Sequence, residues 1–234
     1  MANNEKLGTK KVEQEQENEN FVTKTLAFFN KNQNIIYGVL IGLLVIACAI
    51  IAFNRFYIQK KNGEASAEMV KPISWFMKGD TVSLNLALEG DAENDGFLAI
   101  ANGYKLTRTS NTAKYYAGLC YLNLGQKDEA MDYLKKFKKK EDILWYGCQI
   151  VIGDLYDEQG DEANAVKYYE KATKGNDPLY TPNALFKLGQ MYERQGKWDE
   201  ALASYQKIED NYYEQFNKMN IAQYKERACS KASK

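Results

Sequence analysis

The sequence predicts an all-α protein in which one membrane-spanning helix precedes an array of stacked helix pairs. Three observations predict it. Residues 35–53 form an uninterrupted apolar run, and about 20 apolar residues in helical form cross a bilayer core, because every backbone amide must be satisfied within the segment. Residues 111–210 contain three segments that align in register on Gly, Tyr and Ala, and such self-similarity is the mark of a solenoid of repeated units. Only three prolines occur, Pro72, Pro178 and Pro182, so helices are unobstructed across most of the chain.

Composition narrows the functional classes. The 234 residues carry 31 basic and 31 acidic side chains, a balance unlike the basic excess of a general nucleic-acid binder. Histidine is absent, which removes histidine acid–base catalysis and the commonest metal ligand together. Cys48, Cys120, Cys148 and Cys229 form no C-x-x-C pair, and an odd three outside the apolar run make neither a disulfide framework nor a zinc spacing. They read as buried small apolar residues.

Taken in order, residues 1–34 form a polar tail, with EQEQENEN at positions 13–20, expected to be largely disordered. Residues 35–57 form the expected transmembrane helix. No charge falls between Lys31 and Arg55, and Tyr37, Phe53, Phe56 and Tyr57 lie near its ends, where amphipathic rings favour the membrane interface. A cleaved signal peptide would start near the N-terminus with a short basic region. Here Glu13, Glu15, Glu17 and Glu19 precede the run and no small-x-small site follows it. Val45-Ile46-Ala47-Cys48 resembles a lipid-attachment motif only by chance, since the apolar run continues past the cysteine. Flanking basic residues, Lys24 and Lys31 against Arg55, Lys60 and Lys61, do not decide orientation.

The repeats carry the strongest signal. Their sets are Gly118-Tyr121-Gly125-Ala130-Leu134, Gly153-Tyr156-Gly160-Ala165-Tyr169 and Gly189-Tyr192-Gly196-Ala201-Tyr205, spaced by 35 and then 36 residues. A mid-helix glycine costs about 1 kcal/mol relative to alanine, so Gly118, Gly153 and Gly189 are expected where a second helix approaches closely. Ala130, Ala165 and Ala201 are read as their small partners. Gly125, Gly160 and Gly196 suit a left-handed helix cap. These residues resemble the tetratricopeptide repeat over three copies. The usual early tryptophan is replaced by Lys114, Gln149 and Leu185 in turn, and the terminal proline is displaced to Pro178 in the second copy. The resemblance implies a tetratricopeptide-repeat superhelix of helix-turn-helix units.

Flanking segments complete the array. Residues 58–110 are expected to be a helical linker packing on it, with stripes Met69, Ile73, Phe76, Met77 and Phe97, Leu98, Ile100, Ala101, Tyr104 forming a degenerate pair. LNLALEGDAENDG between them reads as a loop or short helix. Residues 211–234 read as a capping helix with Ile221, Tyr224 and Ala228 on its buried stripe.

If the register holds, a protein-binding groove is lined by Tyr115, Leu119 and Leu122, then Ile150, Asp154 and Asp157, then Phe186, Gln190 and Glu193. Lys and Asn of the chaperone-binding repeats' carboxylate grip are here Tyr115 and Leu119, so that grip is absent. Two occupants stay open: a helix or unfolded segment of another protein, or the chain's own residues 64–110. The run Lys135-Lys136-Phe137-Lys138-Lys139-Lys140 reads as decoration of a helix C-terminus, partly cancelled by Glu141 and Asp142. Catalytic, cofactor-binding and metal-binding motifs are absent from the sequence, which therefore reads as a scaffold rather than an enzyme, with no cofactor.

An anchor followed by a short repeat array resembles the YfgM-like ancillary subunits of the bacterial Sec translocon. That resemblance implies a single-pass inner-membrane protein with a periplasmic repeat domain, acting beside the translocon and a membrane-anchored periplasmic chaperone on newly exported chains. The alternative is a structural adaptor that tethers components of a cell-envelope assembly and handles no client.

Overall fold

A computed structural model describes residues 2–138 and 143–233, with side chains from residue 23 onward. The chain divides into two units, Met1–Ile58 and Gln59–Lys234. No strand occurs among the described residues beyond an isolated Gly90–Asp95 bridge.

The first unit is helix α1 (Ala2–Phe53) followed by a π-helical turn (Asn54–Ile58). Its most apolar 18-residue window has a mean hydropathy of 2.9 and no buried residue. By length and composition this helix can cross a membrane. Residues 23–34, within the expected polar tail, are helical; Leu26, Phe28 and Phe29 extend the apolar surface and nothing between them and Ile35 breaks a helix. The Phe53 and Tyr57 rings stack at 5.1 Å.

The second unit begins with four short helices: α2 (Gln59–Glu68), α3 (Val70–Phe76), α4 (Thr81–Glu89) and α5 (Phe97–Gly103). Pro72 ends α2, because proline cannot donate to the carbonyl four residues back, that of Glu68. The LNLALEGDAENDG segment divides into most of α4 and a tight loop. Gly90 turns that loop at φ +89, and Asp91 Oδ1 accepts the backbone N–H groups of Glu93 and Asn94. Met69, Trp75, Leu84, Leu88, Phe97 and Ile100 bury a common core with Ala113, Ala117 and Cys120 of the next helix. Met77 departs from its expected stripe and is 77% exposed, since α3 ends at Phe76.

Three helix pairs follow: α6 (Arg108–Asn123) with α7 (Lys127–Lys136), α8 (Ile143–Glu158) with α9 (Glu162–Ala172), and α10 (Thr181–Arg194) with α11 (Trp198–Asn211). Thr107 caps α6 through the Ser110 N–H, and Asn62 Oδ1 of α2 accepts the Thr109 N–H at 2.9 Å. Each first helix ends on a left-handed glycine, with φ of 77, 76 and 71 at Gly125, Gly160 and Gly196. The amide after each glycine bonds back to the carbonyl of Tyr121, Tyr156 or Tyr192 at 2.8–2.9 Å, the six-to-one bond of a Schellman cap. Lys139, Lys140, Glu141 and Asp142 of the lysine run lie outside the described residues. Lys135 and Lys136 occupy the last turn of α7.

The mid-helix glycines are explained differently from expectation. Their close neighbours are Leu134, Tyr169 and Tyr205, not the alanines. A Cβ on Gly118 would lie 2.6 Å from Leu134 Cγ, and one on Gly153 only 2.5 Å from Tyr169 Cε1, with Gly189 still tighter against Tyr205. The missing side chain accommodates a bulky group from the second helix. Ala130, Ala165 and Ala201 are fully buried beside it.

The expected capping helix is two helices, α12 (Tyr213–Lys218) and α13 (Ala222–Ala232), separated at Asn220, which adopts φ 53. Ile221 and Ala228 are fully buried. Cys120 and Cys148 are buried as expected, whereas Cys48 and Cys229 are exposed.

Candidate protein-interaction groove

The nine positions expected to line a groove separate into three kinds. Tyr115 and Ile150 are 7% and 8% exposed, so they serve the core. Tyr115 packs its ring against Phe137 at 5.4 Å, and Ile150 lies with Ala165, Tyr169 and Leu188. Burial raises the Tyr115 phenol well above its ordinary range. Leu119, Leu122 and Phe186 are half-buried and rest on the core, and Gln190 is half-buried.

The acidic positions are neutralised by a helix that follows in the array, α10 for Asp154 and Asp157 and α13 for Glu193. Asp154 on α8 accepts from Tyr169 Oη at 2.7 Å and pairs with Lys187 Nζ of α10 at 2.8 Å. Asp157 pairs with Arg194 of α10, whose Nε also lies 3.9 Å from Glu162. Glu193 pairs with Arg227 of α13 at 2.5 Å. Buried and facing Asp154, the Tyr169 phenol stays protonated far above its ordinary range. The face that carries these positions is thus apolar and ion-paired. Lys187, Arg194 and Arg227 were missed from sequence, although each lies about one repeat beyond its acid.

Residues 64–110 share their main core with α6. At the other end α13 reaches α10: Tyr224 meets the Phe186 ring edge to face at 4.8 Å. Leu119, Leu122 and Gln190 are left as the more open positions. Among the described residues no group of three or more Cys, Asp or Glu is placed to hold a metal.

Stacked helix pairs with a shared face define a helical-repeat scaffold for protein–protein interaction. The repeats are tetratricopeptide repeats: two family models of that description match, at residues 112–141 and 150–213. No curated protein sequence matches the chain. Among solved structures, the chain is similar to a crystal structure of MamA protein, at 16% identity and a TM-score of 0.48, covering 72% of this chain and 92% of that one. It is also similar to a Podosopora anserina kinesin light chain-type protein with nearly identical TPR-like repeats, at 11% identity and a TM-score of 0.45, covering 74% and 96%.

Proposed function

We propose that the chain is a membrane-anchored tetratricopeptide-repeat scaffold and an ancillary, chaperone-like factor at the bacterial protein-export translocon. It crosses the inner membrane once, through residues 35–57, and holds its repeat unit in the periplasm. There the more open groove positions Leu119, Leu122 and Gln190 meet helical or unfolded segments, beside the translocon and a membrane-anchored chaperone. One observation carries the reading: the apolar stretch has no buried residue in its most hydropathic window, an amount of exposed apolar surface that water does not tolerate and a bilayer covers. Two measurements test it. Protease added to spheroplasts must degrade the repeat unit, and crosslinkers at Leu119 or Gln190 must capture many exporting chains in transit. Protection from protease refutes the periplasmic placement.

The second reading, a structural adaptor without clients, is favoured by the ion pairs at Asp154, Asp157 and Glu193, which stiffen the face. It predicts one stoichiometric crosslinked partner instead of many.

A further inference from the structure

A second concavity lies away from the groove, between the end of α7, α8 and α9. It encloses about 470 Å³ and is lined by Leu134, Phe137, Trp145, Ile152 and Tyr168, with Gln149 among them and Lys135, Lys138 and Lys171 at its edge. On α8, positions 145, 149 and 152 share one helical stripe, and the groove positions 150, 154 and 157 fall on another, well over a right angle away.

Gln149 is the anomaly. It is 4% exposed as a residue and lines the cavity, where its amide reaches the solvent that fills the space instead of a protein partner. An amide that faces a cavity without a protein partner keeps its donor and acceptor available to whatever displaces the water there. The repeats provide an internal comparison. One repeat later the same position is Leu185, packed into the core at 4% exposure. An apolar side chain therefore suits this position, yet the second repeat keeps an amide and leaves a space beside it.

The surroundings define the ligand. Lys135 and Lys138 bring positive charge, and Lys135 Nζ is steadied 5.0 Å from the centre of the Tyr156 ring. Lys171 lies over the Tyr168 ring at 3.7 Å. Asp132, the acid that bears on Lys135, is exposed and outside the cavity lining. Apolar walls, an amide with donor and acceptor to offer, and the charges of Lys135 and Lys138 together complement a peptide that places a bulky apolar side chain next to a carboxylate.

We infer that this cavity is a binding site for an acidic peptide segment: an apolar side chain enters between Trp145, Ile152 and Tyr168, Gln149 bonds the peptide backbone, and Lys135 and Lys138 meet the adjacent carboxylate. The site is independent of the groove and of the proposed export role.

The test uses the full-length protein in detergent micelles and fluorescein-labelled tetrapeptides of Glu, Phe and Asp, read by fluorescence anisotropy. Saturable binding is expected, weakening as salt rises. Gln149→Leu, which copies the next repeat and should keep the fold, and Lys135→Glu with Lys138→Glu should each weaken it by at least about tenfold. Gln190→Ala in the groove should leave it unchanged. Peptides with free and amidated C-termini separate two carboxylate sources: binding by both means side-chain carboxylates are read, and binding by the free acid alone means a chain end is read. The inference is overturned if Lys-for-Glu peptides bind equally well, if no saturable binding occurs, or if folded Gln149→Leu binds like wild type.

Discussion

Replacing Gly153 by alanine tests how the helix pairs are spaced. In an open helix this change stabilises by about 1 kcal/mol. Here the new methyl would sit 2.5 Å from Tyr169 Cε1 and 2.7 Å from Cδ1, where ordinary contact begins at 3.4 Å. The ring must retreat by about an ångström, yet it is 1% exposed and shares its pocket with fully buried Ala165 and Ala172. Its hydroxyl is tied to Asp154 at 2.7 Å. Forced overpacking costs about 1–3 kcal/mol, and losing a hydrogen bond to a charged group about 1.5–3. After the helix gain, a net loss of about 2–4 kcal/mol remains, a fall in Tm on the order of 5–15 °C for a unit of this size. Gly63→Ala, at an exposed helical glycine with nothing within 4 Å of a new Cβ, is the control and should melt slightly higher. Thermal melts of the full-length protein followed by circular dichroism provide the measurement. In a Tyr169→Ala background the Gly153→Ala penalty should vanish, because the clash is with that ring. A Gly153→Ala protein that melts at or above wild type would refute the reasoning.

Further outcomes are expected. Tyr205 Oη is buried and meets no hydrogen-bond partner among the described residues, so Tyr205→Phe should change stability by less than about 0.5 kcal/mol, while Tyr169→Phe, which strips Asp154 of a donor, should cost about 1 kcal/mol or more; urea titrations compare them. Burial pushes the Cys120 and Cys148 thiols up to about 12. In the unfolded chain they ionise near pH ~8.5, so above that pH the unfolded state holds fewer protons. Their contribution is complete below that pH and is lost as pH rises towards 12, at up to about 1.4 kcal/mol per thiol per pH unit; a urea midpoint that does not fall between about pH 8 and about pH 10 contradicts this. An uncharged maleimide should label exposed Cys229 in the native protein and reach Cys120 and Cys148 only in denaturant, with mass spectrometry locating the adducts. Arg227→Met should cost up to about 1 kcal/mol at low salt, and less at high salt, because Glu193 is the more buried of the two partners.

Much of this was legible in the residues themselves. The helix pairs follow from Gly, Tyr, Gly and Ala recurring in step, and the caps from Gly125, Gly160 and Gly196, where backbone conformation alone selects the residue type. Contact partners were less legible. Spacing places Gly153 on a face but does not say whether Ala165 or Tyr169 points at it; side-chain direction on α9 decides that. The acids Asp154, Asp157 and Glu193 were visible, but their neutralisation depends on which residues of the following helix lie alongside, a property of the stacking. Gln149 stood out only as a departure from the usual tryptophan. Its meaning needed the space around it, and the lysines beside that space were read as decoration of a helix end.

The ring-into-glycine contact differs along the array, and that difference assigns mechanical roles. Tyr169 against Gly153 and Tyr205 against Gly189 are flat, stiff keys: one helix cannot slide past the other without first lifting an aromatic plate. At Gly118 the key is Leu134, a branched side chain that can swivel about its own bonds. Any change of curvature demanded of the solenoid should therefore fall on α6 and α7, with the two tyrosine-keyed pairs moving as a fixed block.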